Sequence, residues 1–321
     1  MIMRTFDCVT VSDSLIDLVR IGNSEQGNPV YEANPGGAPV NVLAMLSRLG
    51  HKTAFNGKVG DDAFGRQIVS ALNEMSIDTA NVIFDKEHHT TLALVAKLPN
   101  GDRDFSFIFG ADKFFVKEDV NDKLLSDTRA LHFCTISMAQ NPSRETTRYA
   151  VELAKKLDAL ISFDPNLRPP LWNSLDEAKV EIGWGISQCD ILKISDNEIE
   201  WFTGEKDFDK AVEIIREKYN IPLICVTMGK AGSRAYYADK IVSAETFLSY
   251  KPVETTGAGD CFCGCMLHYV LERGLDSLSE KQLYEMLRFA NAGATLVTQK
   301  KGALRVMPTK AEIEGLLTPM S

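Results

Sequence analysis

The chain has 321 residues, with 35 Lys and Arg against 44 Asp and Glu and a formal net charge of −9. That balance excludes broad nucleic-acid binding, though not a small anion held by local dipoles. At 45% hydrophobic and 25% charged residues, the composition fits one large α/β domain, or a main domain with a small appendage. No apolar run approaches the roughly 18 residues of a membrane span, so no membrane role is expected. The first residues carry no charged-then-apolar leader. Seven scattered cysteines, an odd number, read as reduced thiols, so a cytoplasmic location is expected.

Phe6 to Val11 reads as a buried first strand. No G-x-G-x-x-G follows it, so a Rossmann dinucleotide site is not supported. Leu18 to Glu32 breaks into strand-like pieces around Gly22-Asn23-Ser24 and is too irregular for a crossover helix. Asn34-Pro35-Gly36-Gly37-Ala38-Pro39-Val40-Asn41 leads into an amphipathic helix, Val42 to Leu49, which stops at Gly50. Its paired glycines let backbone N–H groups approach a polar ligand, and Asn41 offers a donor and an acceptor. An ordinary Gly-Gly turn with a capping Asn explains the same letters. Thr53 to Val59 is a strand and Ala63 to Met75 a helix; Gly60 to Gln67 has P-loop glycine spacing but Arg-Gln where Lys-Ser/Thr is required, and is rejected. His88 and His89 have no third ligand in view. Thr90 to Leu98 and Asp104 to Phe109 form a hairpin across Pro99-Asn100-Gly101-Asp102, which with the earlier pieces makes a small projecting sheet.

From Ala130 the rhythm is regular. Strands Ala130 to Ile136, Ala159 to Phe163, Asp190 to Ile194 and Pro222 to Met228 alternate with helices Pro142 to Leu157, Ser174 to Ser187, Asp196 to Phe202 and Phe208 to Tyr219. Such alternation predicts a parallel sheet covered on both faces, with ligands at the carboxyl ends of its strands. The polar loops fall there. Asp164-Pro165-Asn166-Leu167-Arg168-Pro169-Pro170 is stiffened by prolines. Lys193-Ile194-Ser195-Asp196-Asn197-Glu198 opens a helix, and Glu198 is either a water-mediated magnesium ligand or a capping-box glutamate. Thr227-Met228-Gly229-Lys230-Ala231-Gly232 is a nucleotide approach or a plain turn before the strand Ser233 to Ala238.

Glu254-Thr255-Thr256-Gly257-Ala258-Gly259-Asp260 precedes a helical run through Cys261, Cys263 and Cys265 to about Arg273. Free N–H groups and the helix dipole favour an anion at such a junction. A carboxylate there would repel phosphate unless it takes a proton from an attacking hydroxyl. A capping Asp with turn glycines is the plainer alternative. The three cysteines, alternating between helix faces, read as small core residues rather than metal ligands.

Gly36-Gly37-Ala38-Pro39-x-Asn41 with Gly50 and Gly60, and Thr255-Thr256-Gly257-Ala258-Gly259-Asp260, resemble in order the two signatures of the ribokinase-like (PfkB) carbohydrate kinases. The resemblance spans essentially the whole chain. It implies one ribokinase-like domain over 1–321, a three-layer α/β sandwich around a mostly parallel sheet, with a β-sheet lid formed by about 15–33 and 90–112. Within the family, the first signature and Asp164 to Trp172 are most similar to fructokinases. That implies ATP-dependent phosphorylation of O6 of D-fructose; other sugars, 2-keto-3-deoxygluconate or ribose among them, are rivals, with Arg168 and Arg103 available to an acidic one. A non-catalytic sugar sensor is a more distant rival. By the resemblance Asp260 is the base and the backbone of Gly257, Ala258 and Gly259 the anion hole. Asp17, Gly36, Gly37, Asn41 and Arg168 match sugar positions. Lys193, Ser195, Thr227, Gly229, Gly232, Gly257, Gly259 and Asn291 match the nucleotide side, and Glu198 the magnesium side. Ser195, Glu254 and Ser12-Asp13 depart from the commoner Asn, Asp and Gly-Glu. Relatives hold K+ beside the Asp that Glu254 replaces, and many dimerise through the lid.

Overall fold

The computed structural model describes residues 4–97, 103–248 and 250–318. The strands among them are, in chain order, β1 (Phe6–Ser12), β2 (Leu15–Asn23), β3 (Pro29–Gly36), β4 (Thr53–Gly60), β5 (Ile77–Asp85), β6 (Leu92–Lys97), β7 (Arg103–Ile108), β8 (Thr128–Cys134), β9 (Leu160–Asp164), β10 (Ile191–Ser195), β11 (Leu223–Thr227), β12 (Ser233–Tyr237) and β13 (Lys240–Ala244). Nine of them form one sheet in the order β13-β12-β11-β10-β9-β8-β1-β4-β5. Pairing is parallel from β11 to β5, and β12 and β13 are added antiparallel at one edge.

Successive strand residues point to opposite faces, so each central strand feeds two cores. Cys8, Ile191 and Cys225 pack with the helices Ala38–Arg48, Ala63–Glu74, Ala258–Arg273, Glu280–Val297 and Lys310–Leu317. Val9, Leu192 and Val226 pack on the other face with the helices Asp122–Ser126, Ser143–Lys156, Leu175–Gln188, Asp196–Thr203 and Phe208–Lys218. The expected three-layer sandwich is therefore present. All seven cysteines are free and buried. No helix among the described residues is long and apolar enough to cross a membrane.

A second sheet, in the order β3-β2-β6-β7, stands apart from the first. Here β2 pairs antiparallel with β3 but parallel with β6, from Ile16↔Leu92 to Val19↔Val95. The expected turn at Gly22-Asn23-Ser24 is displaced: β2 runs through to Asn23 with an irregularity between Arg20 and Gly22, and the chain reverses at Ser24 to Asn28. The bulge absorbs the glycine without ending the strand. The turn expected at Pro99-Asn100-Gly101-Asp102 lies outside the described residues, as does the side chain of Arg103. Two helix starts are earlier than the periodicity indicated. One helix begins at Ala38, with a proline in its first turn, and the other at Ala258. Proline suits a first turn, whose N–H groups have no partner within the helix.

Candidate active site

Strand order reverses beside β1, whose neighbours β8 and β4 come from different parts of the chain. Ligand crevices of open α/β sheets form at such a point, outside the carboxyl ends of the strands. Two cavities lie there. The smaller, about 360 Å³, takes Leu15 and Asp17 from beyond β1, Ile136 from beyond β8, and Asp164 from the end of β9. The larger, about 770 Å³, takes Thr227 from the end of β11, Gly229 and Gly232 from beyond it, and Asn291 from the helix Glu280–Val297. Lys193, Ser195, Thr255 and Gly259 line both, so the cavities meet along one seam.

Asp260 sits at this seam, in the first turn of the helix Ala258–Arg273. Gly257 precedes that helix with φ 78°, and no side chain caps it. The positive φ suits a residue without Cβ, and the uncapped turn presents N–H groups to an anion. Asp260 is not the cap. Its Oδ2 instead accepts a hydrogen bond from Asn41 Nδ2 at 2.8 Å. Burial raises its pKa above the ordinary carboxyl value, against the lowering effects of Asn41, Lys193 and Arg168. Asn41 is buried, and its Oδ1 has no partner among the described residues. Asn41 lines the smaller cavity, and a buried acceptor left unpaired is uncommon.

The two helices bearing Asn41 and Asp260 pack closely. A Cβ at Gly264 would lie 2.6 Å from Met45 Cβ, so glycine there brings the helix Ala258–Arg273 against the helix Ala38–Arg48.

The floor of the seam is a buried ion pair, Lys193 Nζ to Asp164 Oδ2 at 2.9 Å. Burial pushes Asp164 up to about 6. Burial works against the Lys193 ammonium too, but Asp164 and Glu198 outweigh it and hold the ammonium charged. A Cβ at Gly259 would come within 3.0 Å of Lys193 Nζ, so the helix N-terminus and the ammonium share one small space.

Glu198 lies beside this pair. Its Oε2 accepts from Ser195 N at 2.9 Å and Ser195 Oγ at 2.7 Å, and its Oε1 from Leu167 N at 2.8 Å. The capping box expected from the spacing is formed. Burial opposes ionisation of Glu198, but Lys193 and these donors prevail and lower its pKa.

The other expected residues fall into place by cavity. Asp17, Gly37, Asn41, Arg168 and Gly257 line the smaller one; Thr227, Gly229, Gly232, Ala258 and Asn291 line the larger. Gly36 lies just behind, where a Cβ would meet the Asp17 carboxylate at 3.1 Å. Asn291 spends its side chain on structure: Nδ2 donates to Ala244 O at 3.0 Å and Oδ1 accepts from Ser233 Oγ at 3.0 Å. It therefore shapes the cavity wall rather than offering a free amide. Phe107, on β7 of the small sheet, and Ile136 line the smaller cavity and were not expected, nor were Phe247, Leu248 and Tyr250 in the larger. An aromatic on a strand carries no local signal of the cavity it faces.

Residues 5–310 match the family described as pfkB family carbohydrate kinase. The chain belongs to this family. It is 38% identical over 311 residues to probable fructokinase-2 of Arabidopsis thaliana, covering 95% of this chain and 93% of that protein. Its fold matches the fructokinase of Vibrio cholerae O395 solved with fructose, ADP and calcium, at TM-score 0.84 and 30% identity over 98% of this chain and 99% of that one. It also matches the ATP-bound fructokinase of Xylella fastidiosa, at TM-score 0.88 and 26% identity over 97% and 98%. The chain is thus a carbohydrate kinase, and its two signature segments meet at the seam between the cavities.

Proposed function

We propose that this kinase transfers the γ-phosphoryl group of ATP to the 6-hydroxyl of D-fructose, with Asp260 as general base. The observation that carries the reading is the place of Asp260: a buried carboxylate at the first turn of an uncapped helix, where two cavities meet. The sugar lies in the smaller cavity, where Asp17, Asn41 and Arg168 hold its hydroxyls and the backbone of Gly36 and Gly37 closes round it. The nucleotide lies in the larger one, along Thr227, Gly229 and Gly232. The Vibrio cholerae relative was solved with both fructose and ADP, which supports a site that takes a sugar and a nucleotide together.

A sugar hydroxyl is a weak nucleophile at neutral pH. Asp260 takes the O6 proton as the bond from O6 to the γ-phosphorus forms and the bond from that phosphorus to the bridging oxygen breaks, releasing ADP. Asn41 orients the carboxylate through its amide donor. The raised pKa of Asp260 makes it a better proton acceptor. The N–H groups of Gly257 and Gly259, and that of Ala258 once it leaves its long 3.3 Å bond to Thr255 O, receive the charge that spreads over the transferring group, with Lys193 charged beside them. Three donors already occupy most of the acceptor sites of Glu198, which favours magnesium held near it through water, as suits an ion that keeps several waters. Bound there, it would neutralise phosphate charge.

The four-stranded sheet acts as the lid, with Phe107 over the sugar. The exposed Ile21 and Tyr31 on its strands suit pairing of two lids in a homodimer. Arg168 in the smaller cavity favours one second reading, an acidic keto-sugar such as 2-keto-3-deoxygluconate.

Asp260→Asn tests the role of the carboxylate. The amide is nearly the same size, so the fold and the binding of both substrates persist, while kcat falls by roughly 100- to 10,000-fold. Turnover within a few-fold of wild type would remove Asp260 as base.

A further inference from the structure

The helices that bring Asn41 and Asp260 together at their N-terminal ends also meet at their other ends. His51 lies just beyond the helix Ala38–Arg48, with its amide bonded to Leu46 O at 3.1 Å. His268 and Glu272 lie one turn apart on the helix Ala258–Arg273, spaced to share a face. His51 Nε2 and His268 Nδ1 are 2.7 Å apart, and one ligand atom from each of His51, His268 and Glu272 falls within 4.8 Å of the other two. The other ring nitrogen of His51 faces Asp7 Oδ2 at 3.4 Å. Asp7 is itself held by Arg129 at 2.6 Å and by Lys52 N at 3.0 Å. A carboxylate behind an imidazole is the usual support that fixes the tautomer and aim of a metal-binding histidine. A separate cavity of about 510 Å³, lined by His268, Glu272 and Lys310, adjoins the cluster and gives an ion a way in.

We propose that His51, His268 and Glu272 form a binding site for one divalent transition-metal ion of the zinc or cobalt class. Two imidazoles and one carboxylate suit such ions, whereas magnesium and calcium favour all-oxygen sets. The ion enters between the two facing nitrogens. Each neutral ring carries one proton: His51 keeps its own on Nδ1 toward Asp7, and the proton that His268 Nδ1 shares with His51 Nε2 moves, by tautomerisation through water, to His268 Nε2. The nitrogens then separate from 2.7 Å to about 3.3 Å, the spacing of two ligands at about 2.05 Å in a tetrahedral shell. Water completes the shell from the cavity side. The charges of Asp7 and Glu272 favour the cation against the nearby Arg129 and Lys310. Asp260 and His268 are eight residues apart on one helix, about 12 Å along its axis. The ion therefore pins the pair of helices at a distance from the phosphoryl-transfer seam.

The test uses the full chain, stripped with a chelator and free of nucleotide, titrated with cobalt(II) and then zinc(II) chloride. One cobalt ion per chain is expected, with the visible bands of a tetrahedral nitrogen and oxygen environment, displaced stoichiometrically by zinc, and with a rise in Tm. His268→Ala should weaken binding by about 100-fold. Glu272→Gln and Asp7→Asn should each weaken it by about 10-fold or more. Glu272 is exposed, so Glu272→Gln folds and decides the matter even if His268→Ala does not. Absence of binding at millimolar metal, or binding that Glu272→Gln leaves unchanged, would overturn the site and leave a hydrogen-bonded histidine pair.

Discussion

The two cavities that meet at Lys193 and Gly259 are built from different material. The smaller is polar because side chains converge on it: Asp17, Asn41, Asp164, Arg168 and Asp260. Several are held by partners far away in sequence; Asn41 and Asp260 are 219 residues apart. The larger draws on main chain at glycine-bearing strand ends and on an apolar loop with Phe247, Leu248 and Tyr250. A side-chain site selects by hydrogen-bond geometry, because each buried polar group left unpaired costs free energy. A main-chain site accepts a flat ring and a phosphate chain with fewer commitments. Substitutions of the converging side chains should therefore act mainly on the sugar, and substitutions of Gly229 and Gly232 mainly on the nucleotide.

Lys193 belongs to both cavities, so Lys193→Met should have the largest effect of the variants that probe this contrast. It leaves the buried Asp164 unpaired and should cost about 3–5 kcal/mol of stability, read from urea unfolding, with the KM of both substrates raised. A change confined to one substrate would show that the seam is not shared.

Asn41→Ala should come next. It removes a hydrogen bond to a carboxylate, worth about 1.5–3 kcal/mol. The KM for sugar should rise about 10- to 100-fold, with the KM for ATP nearly unchanged. Equal changes in both would undo the division of labour.

Behind the smaller cavity, Asp112 and Asp13 form a buried acidic pair. Asp112 accepts from Thr91 Oγ1 and, at 2.9 Å, from Lys113 N, yet burial pushes it up to about 6. Burial and then Asp112 also raise Asp13 well above the ordinary carboxyl value, against the Ser137 N–H that donates to it at 3.1 Å. A raised carboxyl stabilises the fold while protonated. That contribution is complete below the unfolded pKa near 4 and is lost as pH rises through about 6. Asp112→Asn keeps an acceptor for Thr91 and Lys113 and has no charge to bury. It should be more stable than wild type by about 1–3 kcal/mol at pH 8, with the gap closing toward pH 4. A gap independent of pH would show that folding leaves the pKa of Asp112 unshifted.

The smallest effect should be at Gly229, where φ is 52° and nothing lies within 4 Å of an added Cβ. Gly229→Ala should cost about 1 kcal/mol through backbone strain alone. Any kinetic change should fall on ATP, and a change in sugar KM would blur the contrast.

Much of this arrangement was readable in the sequence, because both signatures are local. Gly257 to Asp260 announce a helix N-terminus by their own chemistry, and the strand and helix periods from Ala130 give a parallel sheet. What was not readable depends on chain segments meeting. Nothing near Ile16 indicates that β2 lies parallel to β6, so the small sheet's order and the place of Phe107 could not be derived from local pattern. Asp13 facing Asp112, and His51 touching His268, are likewise products of packing between distant elements. The strand β13 and the helices Glu280–Val297 and Lys310–Leu317 also went unread, although Ser279 and Thr309 begin capping boxes with Gln282 and Glu312. The Glu198 spacing showed the opposite limit. It indicated the capping box correctly, and gave no sign of the third donor, Leu167 N, which comes from a distant loop.

The most direct test is ADP release by the wild-type chain with ATP and magnesium across fructose, ribose, 2-keto-3-deoxygluconate, glucose, mannose and adenosine. Strong turnover on fructose alone, with phosphate located on O6 of the product, is the predicted result. Turnover on another sugar and not on fructose would contradict the substrate while keeping the kinase. Tight fructose binding with no ADP release from a folded protein would contradict phosphoryl transfer at Asp260 altogether.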